Sequence, residues 1–379
     1  MNRSGTWLLF SCAALLLATI PGCREQAEAG TRPTAPVAEP TKETRTAAEL
    51  IRSAHEALTL AAGMPAPLSP TSTRKERQEY LQGMAQPLSI LLSLPDAQDR
   101  NRPFEENVPP DLFERCADLF AVELADAIDR DEPQRASRAL AAAFAYSDEI
   151  ASRSVSQWVR ANGLADRLCV GIRSVAGQVE DQIAEQIEAT LKDIASWNVD
   201  PRPAIEFSER RVEEWRAKAI SQTPVSGLLA TYGTSLNGRQ VLSPELAHRI
   251  RSFAQAKGNA ELLYAATLKP EVEIAAEALL SFLRAAPQNP AAAVPLPDAE
   301  QHPIALLFVL YFRSEMELAP RLVPLRLESI RLVSLTARII AADFPKDLTP
   351  FGEDAISPVT NLLFGYKVDG EDFELLRPR

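Results

Sequence analysis

Residues 164–194, LADRLCVGIRSVAGQVEDQIAEQIEATLKDI, form the stretch that decides the fold class. Large apolar residues recur in it every three or four positions, which is the spacing of one face of an α-helix. The series is Leu164, Leu168, Ile172, Val175, Val179, Ile183, Ile187, Leu191 and Ile194. This pattern predicts one helix of about 33 residues and about 50 Å that packs along several neighbours. Gly171 and Gly177 interrupt the series, and each indicates a close helix approach or a bend.

The segments on both sides also have helical periodicity, and prolines divide them into separate helices. Thr73 and Glu76 give the S/T-x-x-E pattern of a helix start. Residues 111–150 predict a helix hairpin with an acidic turn, and residues 227–238 predict a loop because they contain turn residues such as Asn and Gly. Aromatic residues make up only 6% of the 379 residues, which argues against a β-sandwich or barrel. We therefore expect a mainly α fold, with helix hairpins stacked as a bundle or irregular α-solenoid around the long central helix.

The C-terminal end of the chain follows a different pattern. Residues 363–368 and 373–376 are apolar-rich and flank Asp369-Gly370-Glu371-Asp372, in which Asp-Gly readily supplies the positive φ of a hairpin turn. The sequence therefore predicts a small C-terminal β-hairpin. The side chains of Asp369, Glu371 and Asp372 are a candidate calcium site, and the alternative is that they are ordinary turn acids. One short turn rarely supplies the six or more oxygen ligands that calcium requires.

The N-terminus has the features of a secretory signal. Arg3 precedes an apolar run, residues 7–20, that is shorter than the roughly 20 residues a membrane-spanning helix needs. The run ends in Ile20-Pro21-Gly22-Cys23, which resembles the lipobox of bacterial lipoproteins. The resemblance implies that residues 1–22 are a lipoprotein signal peptide removed before Cys23. It also implies that Cys23 is lipidated through a diacylglyceryl thioether and an acylated amino group, with acyl chains such as palmitate.

The lipobox resemblance also implies a location and a domain order. The protein is expected in the cell envelope, lipid-anchored on the periplasmic or extracytoplasmic side of a membrane, and Arg24 in place of Asp favours the outer membrane over the inner one. Residues 23–46 carry the acylated cysteine and a Pro-rich flexible linker with a reach of about 25 Å. We expect a helical domain at residues 47–318, and a long helix with the hairpin tail at residues 319–379.

The C-terminal segment resembles a second family. Residues 326–342, Phe344-Pro345-Lys346-Asp347-Leu348, Ser357-Pro358-Val359-Thr360 and Tyr366 are similar to the helix, loop and hairpin tail of type II secretion pseudopilins. The body and tail together resemble uncharacterised helical bacterial envelope proteins. Ser357 stands where the pseudopilin pattern usually has Asp. The resemblance implies the fold of the tail, and no activity comes with it.

Charge and side-chain chemistry exclude several function classes. The chain has 40 Lys and Arg against 51 Asp and Glu, a formal net charge of -11, which argues against a nucleic-acid partner. The three histidines, His55, His248 and His302, lie far apart and lack zinc-ligand spacing. We predict no catalytic residue, no metal and no cofactor from these patterns.

Two cysteines remain after removal of Cys12 with the signal and acylation of Cys23. In an oxidising envelope Cys116 and Cys169 can bond to each other, joining the hairpin to the long helix, and the alternative is a pair of buried free thiols. Their separation in the sequence does not decide between these outcomes, because a disulfide needs Cα atoms within about 7 Å.

Three functional hypotheses follow. The first is a non-catalytic envelope interaction or scaffold module that is anchored to the membrane by lipid and contacts an envelope protein. The second is an enzyme acting on envelope polymers through dispersed carboxylates such as Glu213 or Glu214, which requires two acids about 5–9 Å apart in one cleft. The third is an accessory of a type II secretion-like apparatus.

The predicted helix near the C-terminus has an arginine series on one side, formed by Arg326, Arg331 and Arg338. One interpretation is a solvated or ion-paired face, and the alternative is a docking strip for an acidic partner.

Overall fold

The structure is a computed structural model, and it describes residues 45–61, 63, 65–69, 72–97, 104, 106–233, 242–289, 291–369 and 372–378. The predicted signal peptide, the lipidated Cys23 and the linker up to residue 44 lie outside the described residues, and they stay predictions. Among the helices that the structure describes, none is both long and apolar enough to cross a bilayer.

The described residues are mainly α-helical, as predicted. Their fourteen α-helices are α1 Ala47–Leu60, α2 Arg74–Gly83, α3 Ala85–Leu91, α4 Pro110–Asp129, α5 Pro133–Ala151, α6 Val155–Asn162, α7 Leu164–Arg173, α8 Asp181–Ser196, α9 Arg202–Lys218, α10 Val225–Tyr232, α11 Pro244–Ala256, α12 Ala265–Ala285, α13 Pro303–Met316 and α14 Leu322–Ala341. Two antiparallel pairs of short strands accompany them, β1 Thr223–Pro224 with β2 Leu262–Leu263 and β3 Gly365–Asp369 with β4 Asp372–Leu376.

Local capping defines the starts of α1 and α2. Thr46 and Thr73 each accept a hydrogen bond from the backbone N–H three residues later, and Glu49 and Glu76 close the two capping boxes. Each box satisfies backbone donors that the first helical turn leaves without partners. The capping box predicted at Thr73 is therefore confirmed.

The prediction of a single helix over residues 164–194 is wrong. Helix α7 ends at Arg173, a 3₁₀ turn follows at Ala176–Gln178, and α8 begins at Asp181. The apolar series continues through the break because Val175 and Val179 stay buried on either side of the turn. Periodicity reports which residues face the core, and it does not show whether the backbone between them is continuously helical.

The predicted loop at residues 227–238 also needs correction. Helix α10 covers residues 227–232 of it, has Val225 and Leu228 buried, and ends at Tyr232 with Gly233 as its C-cap. Residues 234–238 lie outside the described residues. The backbone N–H of Val225 donates to the carbonyl of Glu261, next to the β1–β2 pairing that the sequence did not predict. These contacts with a distant segment stabilise the helix despite its glycine, which is a tertiary effect that local turn signals do not report.

Two hydrophobic cores organise the chain. The first contains α1–α5, α7, α8, most of α14 and the C-terminal tail, and the second contains α6, α9–α13 and the first residue of α14. The chain passes between the cores after α5, after α6, after α8 and at the start of α14. The predicted domain division between residues 318 and 319 lies close to the last of these passages and stays a prediction.

The predicted C-terminal β-hairpin is confirmed. Its register pairs Tyr366 with Leu375 and Val368 with Phe373. Phe373 is buried against the first core, and the Tyr366 hydroxyl donates to the carbonyl of Pro345 at 2.8 Å. One side of the hairpin therefore packs on the protein, as expected for a two-stranded sheet that is marginal on its own.

Candidate functional site

The candidate site is a cleft of about 350 Å³ at the place where the chain passes between the two cores. One wall is the last two turns of α5, and the other is the connection from α8 to α9. We call it the junction cleft. It is lined by Ala145, Asp148, Glu149, Ser152, Trp197, Asn198, Val199, Asp200 and Pro203.

Local sequence positions both walls of the junction cleft. On α5, Ala145, Asp148, Glu149 and Ser152 share a face because they are three or four residues apart. Helix α8 ends at Ser196, and the Pro-containing connection that follows carries the remaining lining residues. Asp200 sets the start of α9, because its Oδ1 accepts the backbone N–H of Arg202 at 2.9 Å.

A buried ion pair fixes the base of the junction cleft. The Nε of Arg326 lies 2.7 Å from Oδ1 of Asp148, and Nη2 lies 2.8 Å from Oδ2. Nη2 also donates to the carbonyl of Ile194 at 3.0 Å, near the end of α8. Arg326 therefore connects α14 to α5, through a bidentate ion pair that is well defined and strong, and to the last turn of α8.

The charged residues among the cleft's described lining are all carboxylates, namely Asp148, Glu149 and Asp200. Asp148 is paired with Arg326, and Asp200 is paired with the exposed Arg202, whose side-chain hydrogen bond lowers the pKa of Asp200. The indole of Trp197 is half-buried beside them. Carboxylates next to an aromatic face favour a positively charged group.

The acids that share a cleft are not the ones named from sequence. Glu213 and Glu214 are exposed on α9, and Glu213 pairs with Arg216 at 3.3 Å. The sequence does carry a weak signal for the acids of the cleft. Asp148 and Glu149 are adjacent near the C-terminal end of α5, where the helix dipole disfavours negative charge and a basic partner is therefore favourable.

Cys116 and Cys169 are both buried with free thiols, so the disulfide alternative is not what the structure contains. The Cys116 thiol interacts with the hydroxyl of Tyr146, and the Cys169 thiol interacts with that of Thr336. Burial raises the pKa of each thiol to about 12. Both cysteines therefore contribute as small, protonated core residues.

The three histidines have separate environments. Nε2 of His55 lies 3.0 Å from the Tyr146 hydroxyl, and Nδ1 of His302 lies 2.9 Å from the buried Glu271 carboxylate. His248 lines a different, open cavity next to α11. Within the described part of the chain, no group of three or more His, Cys, Asp or Glu is arranged to hold a metal ion.

The candidate calcium site lies largely outside the described residues. Glu371 is not described, and for Asp369 the backbone alone is described. Asp372 is exposed, and its Oδ1 accepts its neighbour's backbone N–H at 2.8 Å. The calcium site therefore stays a prediction.

The arginine series of α14 is an internal, paired face. Arg326 is buried with Asp148, Arg331 donates to the carbonyls of Glu353 and Ile356, and Arg338 pairs with Asp354. Two of the three therefore hold the C-terminal tail on the helix.

Comparison of the chain with protein-family models, with curated proteins and with solved structures finds no match.

Proposed function

We propose that the protein is a lipid-anchored envelope interaction module that receives a positively charged segment of a partner protein in the junction cleft. The observation that carries the proposal is the cleft itself, about 350 Å³ in volume, in which carboxylates are the charged residues of the described lining and share that lining with Trp197. The chain's net charge of -11 favours a basic partner on electrostatic grounds.

The surroundings of the junction cleft support a binding role. Arg326 holds α5, α8 and α14 together at its base, so the walls are positioned before any ligand arrives. Pre-positioned walls reduce the ordering that binding requires. The lipobox and linker of the sequence supply the anchor and a reach of about 25 Å from the membrane surface.

Site-specific crosslinking tests this proposal. A photo-crosslinking residue at Asn198, which is exposed in the cleft, is expected to capture a defined partner in native envelope membranes. The matched control carries the crosslinker at Glu277, which is exposed on α12 and does not line the cleft. Asp200→Asn keeps the acceptor for the Arg202 N–H but removes the charge, so it is expected to lower the yield at Asn198 severalfold. Equal capture from both positions, or a yield insensitive to Asp200→Asn, would contradict the proposal.

A second candidate function, hydrolysis of an envelope polymer, rests on the carboxylates that share the junction cleft. Asp148, Glu149 and Asp200 are the acids of its described lining, and Glu149 is buried whereas Asp200 is half-buried. Release of soluble fragments from purified peptidoglycan by the wild-type chain, abolished in both Glu149→Gln and Asp200→Asn, would establish this function. Binding to the polymer without fragments would remove it.

The anchor is tested separately from the cleft. Mass spectrometry of the mature amino-terminal peptide is expected to find Cys23 at the terminus with its acyl chains. Full-length, unmodified chain in the cytosol would refute the envelope location, whatever the crosslinking shows.

A further inference from the structure

A cluster of arginines lies against Phe207, where the residues that follow α5 contact α9. The guanidinium carbon of Arg153 lies 5.4 Å from the centre of the Phe207 ring, and that of Arg210 lies 5.8 Å from it. Burial lowers the pKa of Arg153, and the positive charge of Arg211 lowers it further. These three arginines and Phe207 therefore form one positively charged surface, which we call the arginine platform.

The arginine platform has fewer counter-charges than an acidic chain can supply. The chain contains 51 acidic residues against 40 basic ones, yet among the described residues neither Arg153 nor Arg210 has a carboxylate partner. Glu106 opposes the effect of burial on Arg153, but its carboxylate is already paired with Arg52. A half-buried guanidinium without a counter-ion is unfavourable, and a bound anion would relieve this cost.

Arg153 presents the edge of its guanidinium that suits a carboxylate. Its Nη1 is buried without an acceptor, whereas its Nε and Nη2 keep contact with solvent. Nε and Nη2 are the two donors with which Arg326 holds both oxygens of Asp148, at 2.7 and 2.8 Å. The same edge is therefore available on Arg153, and its two parallel N–H groups match the two oxygens of a carboxylate.

We infer that the arginine platform docks an acidic segment of a partner protein, with one carboxylate bound by Nε and Nη2 of Arg153. The Phe207 ring orients the guanidinium through its cation–π contact. Arg210 and Arg211 are exposed, so they attract further acids of the segment from an open surface, on which a small free anion would be held only weakly. The inference uses other residues than the junction cleft, so either proposal can fail without the other.

Fluorescence polarisation of two labelled peptides on the full-length chain tests the inference. One peptide has glutamates separated by glycines, and the other has glutamines in their place, so the two differ only in charge. The glutamate peptide is expected to bind about tenfold more tightly, although the net charge of -11 repels it from the rest of the surface. Equal binding of both peptides would overturn the inference. Displacement of the glutamate peptide by an equal concentration of inorganic phosphate would show a site for a small anion and would overturn it as well.

Three variants locate the binding of the glutamate peptide. Arg153→Gln removes the paired donors and is expected to weaken binding about tenfold. Arg210→Gln, at an exposed residue whose loss does not disturb packing, is expected to weaken it about threefold. The matched control, Arg251→Gln, removes the same charge from an exposed position on α11 and is expected to leave binding unchanged. Circular dichroism verifies that the variants fold. Losses no larger at Arg153 and Arg210 than at Arg251 would show an effect of net charge alone and would overturn the inference.

Discussion

His55 is a residue whose charge state links the stability of the protein to pH. Its Nε2 lies 3.0 Å from the Tyr146 hydroxyl, and burial lowers its pKa to about 4, against a smaller opposing effect of Glu106. In the unfolded chain this histidine takes up a proton near pH 6.5, whereas in the folded chain it stays neutral until about pH 4. Protonation therefore favours the unfolded chain below pH 6.5, and the folded state is at its full stability above that pH. The contribution is lost as the pH falls from about 6.5 toward 4.

We therefore expect the free energy of unfolding to drop by about 3 kcal/mol more in the wild type than in His55→Gln between pH 7 and pH 4. Glutamine keeps a hydrogen-bonding group near Tyr146 but does not titrate. Urea unfolding at several pH values measures the difference. Parallel pH profiles for the two proteins would show that His55 is not the group responsible.

Ser357 connects the C-terminal tail to α14 through buried hydrogen bonds. Its hydroxyl donates to Oε1 of Glu328, and its Oγ accepts the backbone N–H of Val359 at 3.1 Å. Ser357 is fully buried and Glu328 is 3% exposed. In this chain Glu328 already supplies a carboxylate, so an aspartate at 357 would bring two buried carboxylates together.

Ser357→Asp is accordingly expected to destabilise the protein by about 2–4 kcal/mol, because like charges in a buried site disfavour each other. Adding Glu328→Gln should recover a large part of the loss, since it removes one of the two charges. Denaturant unfolding of the wild type, both single variants and the double variant gives the coupling energy. A double variant no more stable than Ser357→Asp alone would contradict the pairing.

At the scale of elements, the two glycines of the central stretch have opposite roles. A Cβ on Gly171 would lie 2.5 Å from the carbonyl oxygen of Ala121, so glycine permits the close approach of α7 to α4. A Cβ on Gly177, in the 3₁₀ turn, would meet nothing within 4 Å. The sequence analysis gave close approach and a bend as alternatives for both glycines. In the structure Gly171 lies at the close approach, and Gly177 lies in the turn between α7 and α8.

Substituting each glycine by alanine separates these roles. Gly171→Ala is expected to cost about 1–3 kcal/mol because α4 and α7 must move apart. Gly177→Ala is expected to be neutral or to stabilise by up to about 1 kcal/mol, since it only reduces the freedom of the unfolded chain. Thermal unfolding compares the two variants. Similar costs at both positions would mean that the approach of α7 to α4 is not the constraint.

Local sequence patterns predict the individual helices and the hairpin better than they predict how these elements pack together in the whole molecule. Helical class, the capping box at Thr73 and the C-terminal hairpin follow from residues close together in sequence. The junction cleft does not, because the Arg326–Asp148 pair joins residues 178 positions apart. Trp158 and Leu322, whose hydrogen bond joins the second core to α14, are 164 positions apart. Periodicity identifies the buried face of a helix but not the neighbour that covers it, so the passage of the chain between two cores was beyond prediction.

Arg326 holds this arrangement together, because it joins α14 to α5 and α8 where the chain passes between the cores. Arg326→Met is expected to cost about 3–5 kcal/mol, since it leaves Asp148 in the protein without its bidentate partner. Arg326→Met with Asp148→Leu should recover most of this loss, because no uncompensated charge remains. Denaturant unfolding of the two single variants and the double variant measures the coupling, with Arg202→Met, at an exposed pair, as the control that changes little. A cost at Arg326 no larger than at Arg202 would mean that apolar packing alone fixes the junction, and the cleft would then lose its rigid base.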